Sequence, residues 1–291
     1  MEKYSLLHIE GGLGKHIAAT AVAKCIKNNH SDRKLIIVCA YPEMFLNLPF
    51  VHRVYRIGFT PYFYNDYIKD KDTLIFKHEP YFTNEHIHKK MSLIENWCKL
   101  YNLDYTGELP ELIFNIRQKQ IGFNHWVRQK PVLVLQTNGG TMKGQEYPYT
   151  WTRDMPRHIA EELVKVLSKD YHIIQICRDK TQAINGTECV YGEINNSLLL
   201  SLLLFSEKRI LIDSCLQHAA AALNLPSTVM WIGTSPLIFG YALHKNFSAN
   251  LPENANLPDS YLFDYSFNGV VHECPVVDPI NFNITEILES L

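Results

Sequence analysis

The chain has 291 residues, 46% of them hydrophobic and 20% charged, with a formal net charge of −2. That length suits two α/β units of roughly 130–150 residues, and the composition excludes a disordered or fibrous chain. The near-neutral charge gives no global basic field for nucleic acid or an acidic membrane, and no apolar run reaches the roughly 18 residues of a membrane span, the longest candidate being Leu198 to Phe205.

After Met1-Glu2-Lys3-Tyr4 the chain enters an apolar strand without the apolar region of a secretory signal, so a cytoplasmic protein is expected. Strands are predicted at Ser5 to Glu10, Leu35 to Ala40, Val51 to Ile57 and Thr73 to Lys77, with a helix from Lys15 to Asn29. This is βα alternation, which implies a parallel sheet. One longer helix, Glu85 to Tyr101, carries Ile87, Met91, Ile94, Trp97 and Cys98 at helical spacing. Between Gly107 and Lys130, Pro110, Gly122 and a charged stretch read as a linker.

The second half restarts the same grammar. Strands are expected at Pro131 to Thr137, Tyr171 to Cys177, Glu188 to Tyr191, Arg209 to Asp213 and Ser227 to Ile232, and helices at Arg153 to Ser168, Ser197 to Phe205 and Cys215 to Asn224. From Ser235 to Pro279 no clear period is visible, and a short helix closes the chain from Ile284 to Ser290. Two Rossmann-like domains, 1–128 and 129–291, are the economical reading. The seven cysteines, at 25, 39, 98, 177, 189, 215 and 274, form no CxxC pair, and their apolar settings predict buried thiols rather than disulfides or zinc ligands.

Two places carry chemistry. The first strand ends in Glu10-Gly11-Gly12-Leu13-Gly14-Lys15-His16 and opens a helix, so backbone N–H groups and the helix dipole converge beside a glycine-lined gap suited to an anion. Gly-Gly-Leu-Gly-Lys resembles the deviant Walker A loop of ParA-like ATPases, with Lys15 as phosphate lysine. Glu10 stands where that family has its signature lysine, and His16 where Ser or Thr ligates Mg²⁺. The loop lacks the GxGxxG spacing of a dinucleotide-binding dehydrogenase.

The second place is Arg209-Ile-Leu-Ile-Asp213-Ser214-Cys215-Leu216-Gln217-His218, then four alanines, Leu223-Asn-Leu-Pro226, a strand, and Trp231-Ile-Gly233-Thr234-Ser235-Pro236. This stretch resembles the ADP-heptose:lipopolysaccharide heptosyltransferase family, glycosyltransferase family 9. That family has a strand, an Asp-Thr-Gly-Pro-Met-His-Leu-Ala-Ala-Ala type helix opening, a further strand and a Phe-Gly-Pro-Thr type loop. Asp213 and His218 fall on its Asp and His. Thr137-Asn138-Gly139-Gly140 and Tyr149-Thr-Trp151 follow the same order upstream, so the match spans most of 131–240. The glycine loop and Thr20 resemble the family's Gly-Asp-x-x-x-x-Thr opening.

The resemblance implies a GT-B glycosyltransferase with a nucleotide-diphospho-sugar donor, inversion, and no obligatory metal or cofactor. The donor would lie on the C-terminal domain against Thr137, Asn138, Gly139, Gly140, Lys143, Asp213, Ser214, Cys215 and His218. A core histidine is the plainer reading of His218. Arg178 follows a strand and would contact the nucleotide, with a solvated surface arginine as its alternative.

The acceptor is expected on the N-terminal domain at Gly11, Gly12 and Gly14, with Tyr62 and Tyr64 as a stacking floor that packing would explain equally well. The acceptor itself is a glycan, a lipid-linked saccharide or a modified base in nucleic acid. At position 15 the family carries the aspartate assigned as acceptor base, and this chain has Lys15. His16 ranks first as substitute and Glu10 second, with Lys15 neutralising phosphate or an acidic acceptor. A catalytically silent GT-B binding protein and the ATPase remain the alternatives.

Overall fold

The computed structural model describes residues 1–139, 152–251 and 280–291. In the first half β1 (Lys3–Ile9), α1 (Leu13–Asn29), β2 (Lys34–Cys39), β3 (Val51–Arg56), α2 (Phe63–Tyr67) and β4 (Asp72–Phe76) build a four-stranded sheet in the order β3-β2-β1-β4. Every pairing in it is parallel, with Leu7 opposite both Ile37 and Phe76. Apolar runs such as Leu35–Cys39 fit strands buried on both faces.

The helix expected from Glu85 to Tyr101 is two helices, α3 (Asn84–Ile87) and α4 (Leu93–Leu100). Lys89 takes the left-handed region at φ 52°, and the Ser92 side chain caps the second helix by accepting from the Glu95 N–H, so the periodic face is interrupted by a turn. The stretch read as a linker holds α5 (Ile116–Trp126), opened by a reciprocal capping box between Asn115 and Gln118. Gly122, read as a break, is a close contact instead: a Cβ there would lie 2.5 Å from Ser201 Oγ.

The second half contains β5 (Val132–Gln136), α6 (Arg157–Leu167), β6 (His172–Ile176), β7 (Glu188–Val190), α7 (Asn196–Ser201), β8 (Lys208–Ile212), α8 (Cys215–Ala222), β9 (Thr228–Trp231), α9 (Pro236–Phe239), β10 (Lys245–Ser248) and α10 (Ile284–Glu289). Its sheet runs β10-β9-β8-β5-β6-β7, again parallel throughout. Strand β10 and helix α9 lie in the stretch where the sequence shows no period. Trp126 at the end of α5 is fully buried and donates its Nε1–H to the Leu198 carbonyl at 2.8 Å, fixing α5 to α7.

Two cysteines depart from expectation. Cys177 and Cys189 form a disulfide, whereas Cys25, Cys39 and Cys98 are buried thiols. The pairing depends on register: Gln175 of β6 stands opposite Cys189 of β7, and Cys177, just past β6, donates its N–H to the Val190 carbonyl at 3.1 Å, beside Cys189. Cys274 lies outside the described residues. Among those residues no helix is long and apolar enough to cross a membrane.

Helix α1 is the centre of the molecule. Ile17, Ala18, Ala19, Ala21, Val22 and Ala23 are all inaccessible, so the helix is buried around its whole circumference. One side packs on the first sheet through Leu7, Ile9 and Ile37; the other meets Leu216, Ala219 and Ala220 of α8 in the same cluster. The alanines of α8 bring that helix against α1. Small side chains permit that approach, and it sets the N-termini of the two helices side by side.

Candidate anion-binding and catalytic site

At the end of β1, Gly11 takes φ 91°, a conformation that favours glycine, and Gly12 is the N-cap of α1 with no side-chain cap bond. The first free bond back into the helix is His16 N–H to the Gly12 carbonyl at 3.3 Å. The N–H groups of the first turn therefore point into the glycine gap without a cap. Lys15 folds back over this gap: a Cβ on Gly11 would lie 2.8 Å from its Nζ.

Lys15 Nζ donates to Glu79 Oε2 at 2.7 Å and lies 4.8 Å from the centre of the Tyr81 ring. The two partners are only 16% and 29% exposed. Glu10 directly follows β1, and Glu79 follows the neighbouring parallel strand β4 by three residues, so both lie past the C-terminal edge of the first sheet. Glu10 is exposed and faces His8 at 3.7 Å. Burial pushes the Tyr81 phenol well above its usual range, and the carboxylates of Glu79 and Asp213 add to the effect. Tyr81 thus lies within the field of both halves.

His16 is not placed to act as a base. The ring is fully buried, its Nδ1 lies 2.8 Å from the Gly12 carbonyl, and its Nε2 accepts the Ala40 N–H at 3.1 Å. Only the tautomer protonated on Nδ1 satisfies both bonds, so neither nitrogen can take a proton from an acceptor. Burial also holds its pKa below the usual value. His16 ties the glycine loop to the end of β2. Thr20 is likewise internal, donating to the Ile17 carbonyl and accepting the Glu111 N–H.

The opposite wall is the N-terminus of α8. Ser214 is the N-cap and makes no side-chain cap bond; the Gln217 N–H donates to its carbonyl at 3.2 Å, and the N–H groups of Cys215 and Leu216 are directed out of the helix end. A Cβ on Gly14 would lie 3.0 Å from His218 Cδ2 and 3.3 Å from Cys215 Cα. Gly14, expected to line an acceptor site, is instead the point where α1 and α8 touch. Each helix end carries a fractional positive charge, so two uncapped ends brought together make one anion-binding place.

Arg153 adds a full charge there. Its Cδ lies 3.2 Å from where a Gly139 Cβ would stand, and its charge opposes the upward pKa shift that burial imposes on Asp213 and Cys215. Arg153 Nε is buried and has no hydrogen-bond partner among the described residues. Asp213 is buried at the end of β8. The Gly233 N–H donates to the Thr152 carbonyl at 2.8 Å, which pins the turn that carries Arg153.

The other expected donor residues gather around Asp154, which the sequence did not single out. Asn138 Nδ2 and the Gly139 N–H donate to its two oxygens at 3.2 and 2.8 Å, and Arg178 donates to it at 2.8 Å and to the Gly139 carbonyl at 3.1 Å. Arg178 is therefore a buried ion-pair partner rather than a solvated arginine. Thr137 is buried, with its N–H on the Ile176 carbonyl and its hydroxyl accepting from Gln175. Gly140 and Lys143, like Tyr149 and Trp151, lie outside the described residues.

His218 is a packed histidine. Its Nδ1 lies 2.8 Å from the Tyr241 hydroxyl, and burial, with His244 nearby, lowers its pKa to about 3. It borders a cavity of about 180 Å³ that Ala18 and Leu93 line from the first half and Tyr241 from the second. Tyr62, the N-cap of α2, and Tyr64 within it are 80% and 63% exposed. On the same helix Phe63 and Tyr67 pack against Tyr55 of β3, and Tyr67 also packs edge-on against Tyr4 of β1.

No protein-family model matches the sequence, and no curated protein matches it in sequence. Solved structures do match in fold. Heptosyltransferase II of E. coli, an ADP-heptose lipopolysaccharide heptosyltransferase, superposes with a TM-score of 0.65 at 14% identity, covering 99% of this chain and 97% of that one. A family 9 glycosyltransferase from Veillonella parvula gives a TM-score of 0.65 at 10% identity, covering 99% and 95%. The E. coli heptosyltransferase WaaC with ADP gives 0.55 at 11%, covering 85% and 93%.

The chain has the GT-B fold. Both sheets and the connection between them are included in the superposition, so the likeness extends well beyond the glycine loop. In this GT-B arrangement the place where α1 and α8 meet lies outside the C-terminal ends of β1 and β8, the position at which open parallel sheets bind ligands. Sequence reading missed Glu79, Arg153 and Asp154. The usable signal was position: Glu79 follows β4 as Glu10 follows β1, and both Arg153 and Asp154 stand in the turn before α6.

Proposed function

We propose that this protein transfers a glycosyl group from a nucleotide-diphospho-sugar to an acceptor hydroxyl. The observation that carries the reading is the contact at Gly14, where two uncapped helix N-termini meet beside Arg153 and Lys15. As the glycosidic bond breaks, negative charge grows on the diphosphate. Preorganised N–H groups and cations placed there stabilise that charge more in the transition state than in the ground state. With this positive charge supplied by the protein, the reaction requires no obligatory metal. Attack from the N-terminal side, opposite the leaving diphosphate, gives inversion.

The C-terminal domain, from 129, holds the donor and the N-terminal domain, to 128, the acceptor, a glycan or other hydroxyl compound. ADP-sugars come first among donors, because WaaC was solved with ADP and TibC, a dodecameric heptosyltransferase of similar fold, with an ADP-heptose. The test is a thermal-shift panel of ADP, UDP and GDP with their sugars, and ATP with Mg²⁺. A ligand at 100 times its Kd stabilises the native state by about 2.7 kcal/mol. Stabilisation by one nucleoside diphosphate and its sugar is expected. Stabilisation by ATP–Mg²⁺ alone, with ATP hydrolysis, would overturn the transferase reading, and binding of the diphosphate with no turnover of any nucleotide-sugar would leave a silent GT-B binder.

A further inference from the structure

The transfer proposed above has a proton to dispose of. When the acceptor oxygen attacks the anomeric carbon, its hydrogen must leave, and a carboxylate within reach is the group suited to take it at neutral pH. His16 is withdrawn by its two backbone bonds. Glu10 is exposed and turned to His8. Glu79 stands at the same sheet edge, more enclosed, with one oxygen on Lys15 and the other free of hydrogen bonds among the described residues.

We propose that Glu79 is the acceptor base and that Lys15 is shared between it and the donor diphosphate. The inference rests on the glycosyltransferase reading. Lys15 is in the first turn of α1, so its long stem can serve either the carboxylate of Glu79 or an anion on the N-termini of α1 and α8. The Tyr81 ring lies 4.8 Å from Lys15 Nζ, and its phenol feels the charges of both Glu79 and Asp213. Without donor, Lys15 neutralises Glu79. With donor, the diphosphate competes for Lys15, and the Glu79 carboxylate is released from its ion pair to face the acceptor.

The step balances. The acceptor O–H proton passes to a Glu79 oxygen as the acceptor oxygen forms its bond to the anomeric carbon. The bond from that carbon to the β-phosphate oxygen breaks, and its electron pair stays on the nucleoside diphosphate, where the two helix ends, Arg153 and Lys15 receive the charge. The lysine at the position where a carboxylate base would be expected is then a partner of the base in the segment that follows the neighbouring strand β4.

The experiment compares wild type, Glu79→Gln and Glu79→Asp using ADP, UDP and GDP and the sugar of whichever binds. One readout is diphosphate affinity; the other is release of the diphosphate with water as acceptor, followed against pH. Glu79→Gln is expected to bind the diphosphate roughly two- to fivefold tighter, because a competing ion pair is gone. Its release rate is expected to fall about 10²- to 10⁴-fold and to lose the acidic limb of the pH profile, while Glu79→Asp keeps that limb. Wild-type release by Glu79→Gln, or unchanged or weaker affinity, overturns the assignment while leaving the transferase reading intact. Failure of the wild type to bind any of the three diphosphates overturns both.

Discussion

Replacing Gly14 by alanine tests the contact on which the site depends. An alanine inside a helix is better than glycine by about 0.8–1 kcal/mol, so if α1 and α8 did not meet, Gly14→Ala would stabilise the protein. In the structure the added methyl would lie 3.0 Å from His218 Cδ2 and 3.3 Å from Cys215 Cα, closer than ordinary van der Waals contact. Cys215 Cα is backbone and His218 is buried and bonded to Tyr241, so neither yields easily. Overpacking of this kind costs about 1–3 kcal/mol, leaving a net destabilisation of about 0–2 kcal/mol. Thermal unfolding should show a melting temperature lower by roughly 2–4 °C per kcal/mol. Parting the two helix ends should also weaken nucleoside diphosphate binding. A melting temperature that rises would refute the contact and the anion site built on it.

Arg153→Met keeps the stem and removes the charge. Hydrogen bonds to charged groups are worth about 1.5–3 kcal/mol, so calorimetry should show diphosphate affinity reduced roughly 10- to 100-fold with the fold intact by circular dichroism; wild-type affinity would exclude Arg153 from the site. Asp154→Ala strands Arg178, with side chains only 15% and 11% exposed in the native pair, and should cost about 3–5 kcal/mol in urea unfolding; a loss below about 1 kcal/mol would refute the network.

Stability should also depend on pH. Burial lowers His218 to about 3 and His86 to about 4 from 6.5. Both must stay neutral in the native state, so their contribution is present above the unfolded value of 6.5 and is lost as pH falls toward the folded values. Each should cost about 2 kcal/mol at pH 5 relative to neutral pH. Equal urea midpoints at pH 5 and 7.5 would contradict the neutral buried rings.

Strand and helix order in both halves was legible because apolar runs and helical spacing respond to the sheet and core directly. Elements whose signal is a cap or a turn were not read correctly. The Asn115–Gln118 capping box of α5 lay within the stretch read as a linker, and the break at Lys89 lay inside a face that is periodic on either side. The resemblance at Arg209 to Pro236 pointed to the correct fold. It could not show that His218 turns inward to Tyr241.

By itself the sequence determined two parallel α/β halves and an anion-friendly glycine turn ahead of α1, since these follow from local periodicity and from glycine's conformational freedom. Only the tertiary structure decided which groups share the site. The crossing at Gly14 joins helix ends 201 residues apart in sequence, as the positions of Gly14 and Cys215 show. The pairing of β1 with β4 brings the segment after β4 near the glycine loop, where Glu79 meets Lys15. His16 is held by the backbone of Gly12 and of Ala40, Glu10 faces His8, and Glu79 faces Lys15. No spacing along the chain records these partners.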